Sequence, residues 1–460
     1  VSPLDGRYHS STLPLSEYVS ELAFFKYRIK IEILFLEALS EYKVVRALTA
    51  AERTFLARVW QLTDADMVRL KELERQTNHD VKAIEYFIRE QLEKTSLANL
   101  TTYVHFGLTS EDVNNLAYRC MVQGAVSNVL MPAIVAVLQE LLDLSERYLK
   151  LPMLARTHGQ PAIPTTLGKE MLVFATRMEK KISALQQHQL TGKLNGAVGG
   201  YHALVTTYPH INWPKLSHSL ITKLGFRPTE LSTQINPPDD LVELFSVLHQ
   251  LNSILLDLNQ DIWRYISDDW LVQKGKETEV GSSTMPHKTN PIEFENSEGN
   301  LGIANALFEG FNRKLPISRL QRDLSDSTVY RNIGVAFGHS LLAYQSLRKG
   351  LSKLAAHEDV ITSALNKNYA ILLEAWQVWA RTTNDQQAYE KAMRLGKSKL
   401  LTAQDWQELT VGAPASLQKL TPATYLGLSS QLAQRQLQRL RKQQTLFLKT
   451  VHTNHKESPS

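Results

Sequence analysis

Apolar residues recur along most of this chain at steps of three and four, the period of an α-helix that buries one face. After Pro237-Pro238, a pair suited to a first helical turn, Leu241, Leu244, Phe245, Leu248, Leu251, Leu255, Leu258, Ile262 and Ile266 form one stripe. From Pro238 to Ile266 no further Pro or Gly intervenes, which predicts a rod of roughly 43 Å at ~1.5 Å per residue. A second long helix is expected to start at Thr109-Ser110-Glu111-Asp112, where a hydroxyl cap precedes two acids. It runs through Leu116, Leu130, Ile134, Val137, Leu138, Leu141 and Leu142 toward Tyr148, with a kink expected at Pro132. A third runs from about Leu167 through Met171, Phe174, Met178, Ile182 and Leu185. Helices well beyond the ~11-residue average bury their stripes against one another, often across subunits. Period-2 runs are scarce and no strand–helix alternation supports a parallel sheet, so the expected fold is all-α. Changes of pattern near Phe106-Gly107-Leu108 and Ala356-His357-Glu358 divide the chain into an N-terminal helical domain (1–108), a central long-helix domain (109–355) and a C-terminal helical domain (356–460).

A chain of 460 residues buries a core without help from disulfides or metal. Its 21 Gly and 17 Pro fall below the usual ~7% and ~5%, which excludes collagen-like and low-complexity classes. No stretch approaches the ~18 apolar residues of a membrane span, so none is expected. The lone Cys120 has no intrachain disulfide partner and no Cys/His cluster offers structural-zinc spacing, which points to a reduced compartment, the cytoplasm. The start, Val1-Ser2-Pro3-Leu4-Asp5-Gly6-Arg7-Tyr8, lacks the basic and apolar regions of a signal peptide and reads as a truncated or processed cytosolic start. A net charge of +5 suits anionic small substrates as well as nucleic acid. The basic C-terminal tract Arg435, Arg439, Arg441, Lys442 and Lys449 lies in a Gln- and Leu-rich helical pattern, so a solvated helix face is expected rather than a nucleic-acid site. Gly396-Lys397-Ser398 ends like a phosphate-binding loop, but Lys391 stands where that loop's first Gly belongs.

Candidate chemistry concentrates at Gly281-Ser282-Ser283-Thr284-Met285-Pro286-His287-Lys288-Thr289-Asn290-Pro291. A Gly-flanked loop with adjacent hydroxyls, a cation and a helix start can close over a carboxylate and exclude water. This run resembles the signature loop of the fumarase/aspartase superfamily, enzymes that eliminate fumarate from substituted succinates. His287 stands where fumarases usually place Gly and is similar to one bacterial branch of the superfamily that acts on adenylosuccinate. Further segments resemble that branch in order: Asp5-Gly6-Arg7-Tyr8, Thr77-Asn78-His79-Asp80, Gly107-Leu108-Thr109-Ser110-Glu111-Asp112, Arg156-Thr157-His158-Gly159-Gln160-Pro161-Ala162, and Gln321-Arg322-Asp323-Leu324-Ser325-Asp326-Ser327-Thr328.

The resemblance implies a homotetramer of three-domain helical chains, whose long helices pool into a twenty-helix bundle with active sites shared between subunits. It implies cleavage of fumarate from adenylosuccinate, giving AMP, and from succinyl-aminoimidazole-carboxamide ribotide in purine nucleotide synthesis. No metal or organic cofactor is implied, and the partners are nucleotide substrates rather than nucleic acid or membrane. It makes Ser282 the base and His158 the acid. It makes Arg7, Tyr8, Asn78, His79, Asp80, Thr109, Ser110, Gln234, Lys288, Asn290, Arg322, Ser327 and Arg331 substrate-binding. The chemistry asks for the same types: a base for a proton beside a carboxylate, a cation for the aci-carboxylate, and an acid for the departing nitrogen. A serine hydroxyl is a poor base unless its alkoxide is stabilised, and Lys288 with the N–H groups of the following helix start can supply that field. His158 suits proton transfer with an ordinary pKa of about 6.5. His79, between Asn78 and Asp80, also fits a plain turn cap. Asn195-Gly196-Ala197-Val198-Gly199-Gly200 resembles a superfamily turn and is expected to pack. Because His158 and Ser282 are separated by a rod of roughly 43 Å, they are expected to come from different chains. The competing readings are a sister enzyme cleaving argininosuccinate, which needs no phosphate-directed set around His79 and Arg331, and a non-catalytic structural homologue, against which intact Ser282, His158 and Lys288 argue.

Overall fold

The computed structural model describes residues 2–274, 285, 288–398 and 400–457; Ser282 and His287 lie outside them. The elements that position the site are α1 (His9–Val19), α2 (Glu21–Glu41), α3 (Asp64–Thr77), α4 (Asp80–Glu93), α5 (Ser110–Arg147), β1 (Pro152–Thr157), β2 (Gln160–Thr166), α6 (Leu167–Gln187), α7 (Asp239–Ser267), α8 (Ile292–Lys314), α9 (Ser325–Tyr330), α10 (Ile333–Lys353) and α11 (Ser429–Glu457).

Three of these rods follow the apolar stripes read from the sequence. In α7 the helix covers 29 residues with Leu241, Leu244, Phe245, Leu248, Leu251, Leu255, Leu258 and Ile262 buried. Rod α5 starts after extended Thr109, whose N–H donates to the Asp112 carboxylate at 2.9 Å. At Pro132 the irregularity takes the form of a π turn over Val126–Leu130, with the Met131 N–H reaching the Val126 carbonyl. A proline that cannot donate and crowds the preceding turn is accommodated by widening that turn. At the start of α6 the Thr166 hydroxyl accepts from the Lys169 N–H at 3.2 Å. Gly168 is required there: a Cβ would stand 2.4 Å from the Ser145 carbonyl oxygen and 2.6 Å from the Leu149 Cα.

Five rods close into a ring in the order α5, α6, α7, α8, α10 and back to α5. Their directions follow from cross-contacts. Arg177–Asp257 and Lys181–Gln250 set α6 antiparallel to α7, Ser246–Asn312 and Asn259–Ser297 set α8 antiparallel to α7, and His339–Asn300 with Ser346–Glu293 sets α10 antiparallel to α8. Inside the ring Phe245 packs on Phe308 and Phe337. Asn252 donates to Ser340 at 3.2 Å and accepts from the Tyr344 hydroxyl at 2.6 Å. A slip of one helical turn would orphan these buried groups at roughly 1–3 kcal/mol each, so they fix the axial register. The ring has two ends. One gathers the starts of α5, α7 and α10; the other gathers their ends, the starts of α6 and α8, and the β1–β2 hairpin, where Arg156 lies over the Trp270 ring.

One expectation is corrected. Helix Ser110–Arg147 and helix Asp239–Ser267 are both long and apolar enough to cross a membrane, but half or more of each apolar window is already buried inside this chain. Their apolar character serves the ring, and both rods carry hydrogen-bonded buried polar groups such as Arg119 and Asn252. In α11, Arg439 pairs with Glu179 and Arg441 with Asp143 and Glu146, so these two cations fasten the helix to α5 and α6. Gly396-Lys397-Ser398 closes a helix, Ala388–Ser398, and forms no phosphate loop.

Ahead of α5, His105 (φ 57°) sets its ring Nδ1 2.6 Å from a Glu32 oxygen, and its backbone N–H donates to the other at 3.1 Å. Burial alone would lower the His105 pKa, but the Glu32 carboxylate outweighs it and the net shift is upward. A raised folded-state pKa stabilises the fold fully below the ordinary value near 6.5, and the gain is lost as pH rises through the folded value. Thermal unfolding of wild type and His105→Gln should therefore differ most near pH 5.5 and converge above neutrality. A gap that widens with pH would assign His105 the opposite role.

Candidate active site

At the end of the ring where α5, α7 and α10 start, a pocket of about 350 Å³ is lined by Asn78, His79, Asp80, Ser110, Arg322, Ser327 and Arg331, together with Arg28, Asn114 and Tyr118 among others. Seven residues expected from sequence to bind substrate thus meet in one place. Local folding explains how they arrive. Asn78 ends α3 in the left-handed region (φ 49°) and turns the chain into α4. His79 caps α4, its Nδ1 accepting from the Lys82 N–H at 3.2 Å. The cap and the pocket wall are therefore one residue in two roles, because accepting at Nδ1 leaves the ring proton on Nε2. Ser110 opens α5, where the unsatisfied N–H groups and the dipole of a long helix favour an anion.

Arg322 donates to Gln234 at 3.2 Å and pairs with Glu111 at 2.9 Å, while its buried Nε has no partner within the described residues. Burial pushes the Glu111 carboxyl up against the pull of Arg322. Asp80 lies between two arginines, 2.9 Å from Arg28 and 3.4 Å from Arg331. Burial alone would raise the Asp80 pKa, but Arg28 and then Arg331 hold it below the ordinary carboxylate range. The two contacts differ in worth. The Arg331 side chain is 60% exposed, where a pair contributes about 0–1 kcal/mol. The Arg28 side chain is 3% exposed, where a charge-assisted bond contributes about 1.5–3 kcal/mol.

The remaining expected residues lie elsewhere on the chain. Thr109 precedes Ser110 without lining the pocket. His158 sits with Gly159 at the two-residue tip of the β1–β2 hairpin, Thr157 pairing with Gln160. Both have positive φ (53° and 74°), as the hairpin turn that matches strand twist demands. A non-glycine residue held there costs roughly 1–2 kcal/mol, and such outliers cluster at functional sites. The ring of His158 is exposed. Lys288 and Asn290 precede α8 at the same end of the ring as the hairpin, Lys288 exposed. Tyr8 lies against α8, its hydroxyl accepting from Asn296 at 3.2 Å, and the exposed Arg7 lies over the Tyr8 ring.

The rods measure the separation. Ser110 opens and the hairpin follows a helix of 38 residues, roughly 57 Å; Arg322 and Lys288 flank one of 23 residues, roughly 35 Å. Leu271–Gln273, just after α7, pairs with Leu354–Ala356 at the hairpin end; Ser282 lies outside the described residues. Distance does separate His158 from Ser110 and Arg322.

Sequence reading overlooked Arg28, Asn114 and Tyr118 as pocket residues. The available signal was an arginine inside the apolar face Phe24-Phe25, Ile29, Ile31 and Ile33. Of the Asn195–Gly200 turn, the first two residues pack, Asp112 accepting from the Asn195 and Gly196 N–H groups and pairing with the fully buried Lys193 at 3.1 Å, whereas Ala197, Val198 and Gly200 are exposed. Among the described residues no group of three or more His, Cys, Asp or Glu side chains is placed to hold a metal ion.

A lyase family model matches residues 6–305, and an adenylosuccinate lyase C-terminal model matches residues 318–426. The chain is 43% identical over 443 residues to adenylosuccinate lyase of Legionella pneumophila, covering 94% of this chain and 97% of that one. It is 42% identical to that of Haemophilus influenzae (95% and 98%) and 41% to that of Escherichia coli K12 (93% and 96%). In fold it is similar to a fumarate lyase from Mesorhizobium sp. BNC1 (TM-score 0.76, 16% identity, 92% of this chain and 97% of that one). It is equally similar to a 3-carboxy-cis,cis-muconate lactonizing enzyme from Pseudomonas putida (0.76, 17%, 93% and 97%). With its helical fold, its arginine-lined pocket and this identity along nearly its whole length, the chain belongs to the adenylosuccinate lyase family.

Proposed function

We propose that this chain eliminates fumarate from adenylosuccinate, leaving AMP, and from succinyl-aminoimidazole-carboxamide ribotide. The observation that carries the reading is the pocket in which Arg322, Arg331, Ser110 and Ser327 converge, set in a chain alike throughout to enzymes of that name. In the reaction Ser282 takes the proton from the succinyl carbon beside a carboxylate. The carbon–carbon double bond forms as the C–N bond breaks, and His158 protonates the departing nitrogen. Lys288 and Asn290 hold the aci-carboxylate, where a fixed cation is worth most because charge develops there only in the transition state. Arg7, Tyr8, Asn78, His79, Asp80, Thr109, Ser110, Gln234, Arg322, Ser327 and Arg331 bind the nucleotide and the second carboxylate. These side chains supply every proton and charge the elimination needs, with no cofactor in the scheme.

A substrate with roughly four negative charges needs several converging cations. In the pocket all three arginines already face a carboxylate, Arg28 and Arg331 sharing Asp80 and Arg322 pairing with Glu111. The missing cations, Lys288 and Arg7, and the acid His158 lie one rod-length or a helix away. Neighbouring chains bring them in. Four copies of the five-rod ring make a twenty-helix homotetramer in which each site draws on more than one subunit. The domain limits 1–108, 109–355 and 356–460 are part of the same reading, supported by the cap at Thr109 and by the end of α10 before Ala356. So is the cytoplasm as its compartment, supported by the single cysteine, Cys120.

Purified protein should release fumarate from adenylosuccinate, read as the ultraviolet change, and not from argininosuccinate. Comparable turnover of argininosuccinate would replace this reading with the sister activity, since that substrate has no phosphate for Arg331 and His79.

A further inference from the structure

Along the pocket wall runs an unbroken chain of polar contacts. Arg331 meets Asp80 at 3.4 Å and Asp80 meets Arg28 at 2.9 Å. Arg28 Nε donates to Asn114 at 2.8 Å, Asn114 donates to Glu111 at 2.7 Å, and Glu111 pairs with Arg322 at 2.9 Å. The two pocket-lining arginines are thus the ends of one chain. Arg28 is its fixed point: it is 2% exposed, and its guanidinium lies 3.5 Å over the Phe24 ring, which is stacked on Tyr118 and through it on Tyr330.

We infer that Arg28 is a positioning residue that acts through Asp80, occupying this carboxylate from below so that the exposed guanidinium of Arg331 stays available to the phosphate of the substrate. The inference rests on the proposed lyase reading. An acid that helps to bind the nucleotide from the wall of an anion site repels the phosphate unless its charge is balanced by a neighbour. The nearer and more buried partner holds the carboxylate most firmly, because its attraction is least screened by water. Without Arg28, the carboxylate of Asp80 keeps Arg331 as its remaining arginine partner, the 3.4 Å pair between them tightens, and each substrate molecule must displace it before it binds.

Arg28→Lys keeps the charge but loses the fork that reaches Asp80 and Asn114 together. We expect it to raise KM for adenylosuccinate about tenfold while kcat stays within about threefold, the pattern of lost uniform binding. In an Asp80→Asn background the same replacement should have no further effect, because the carboxylate through which Arg28 acts is gone. Asn114→Ser, which removes the acceptor of Arg28 Nε and also the donor to Glu111, should move KM in the same direction by about threefold, with a smaller rise in the Asp80→Asn background, where only the part acting through Glu111 is left. It stands in if Arg28→Lys does not fold. An unchanged KM in the single variants, or an equal rise with and without Asp80→Asn, overturns the inference and reduces Arg28 to packing. Wild-type protein that releases no fumarate from adenylosuccinate rejects the lyase reading itself, so the two failures are told apart by the unmutated control.

Discussion

Chains carrying His158→Ala and chains carrying Arg322→Met, each nearly inactive alone, should recover about a quarter of wild-type fumarate release when mixed equally, unfolded and reassembled. The motive is distance. Arg322 pairs with Glu111 at the start of α5, and His158 sits on the hairpin beyond that rod's other end, roughly 57 Å of helix away. Both are rigidly held, Arg322 by Glu111 and Gln234 and His158 by a two-residue turn. No side chain spans that gap, so any site using both draws them from different chains. With random mixing such a site has both intact in about one case in four, which sets the expected recovery. If the two residues served the same chain's site, every site would carry one defect. Recovery no better than either parent, in samples shown to contain mixed assemblies, would refute the shared site and leave the family assignment untouched.

Ser282→Ala should lower turnover by about 10²-fold or more while leaving substrate affinity largely intact, since removing a general base usually costs 10²–10⁴. Lys288→Ala should weaken both, because the ammonium acts on the carboxylate in the ground state as well as on the charge that develops. Single-turnover rates with calorimetric affinities separate the two patterns. Near-normal turnover in Ser282→Ala would move the base role to another residue.

The rods were legible because helix periodicity is local. The stripe from Leu241 to Ile262 needs only its own spacing to declare a buried face, and the cap at Thr109 only its next three residues. The pocket residues were legible one motif at a time, since Asn78-His79-Asp80 and Arg322 sit in short segments of distinctive type. The hairpin was not, because β1 and β2 hold mixed residues without alternation and are set by the turn at His158-Gly159. Nor was Arg28, whose role depends on Asp80, 52 positions away, and which in sequence is one cation on an apolar helix.

The sequence by itself therefore determined which segments are helices, where the chemistry-bearing residues lie along the chain, and the family to which the motifs point. Tertiary structure alone decided which of those residues meet. Whether two motifs share a pocket depends on the direction each rod runs in the ring, and this is set by long-range pairs such as Asn259–Ser297 and Arg119–Asp240. For the same reason it placed His158 and Lys288 at one end and Arg322 and Arg331 at the other. A helix carries its two termini a fixed length apart, and no pattern within a single segment encodes what stands beside either end.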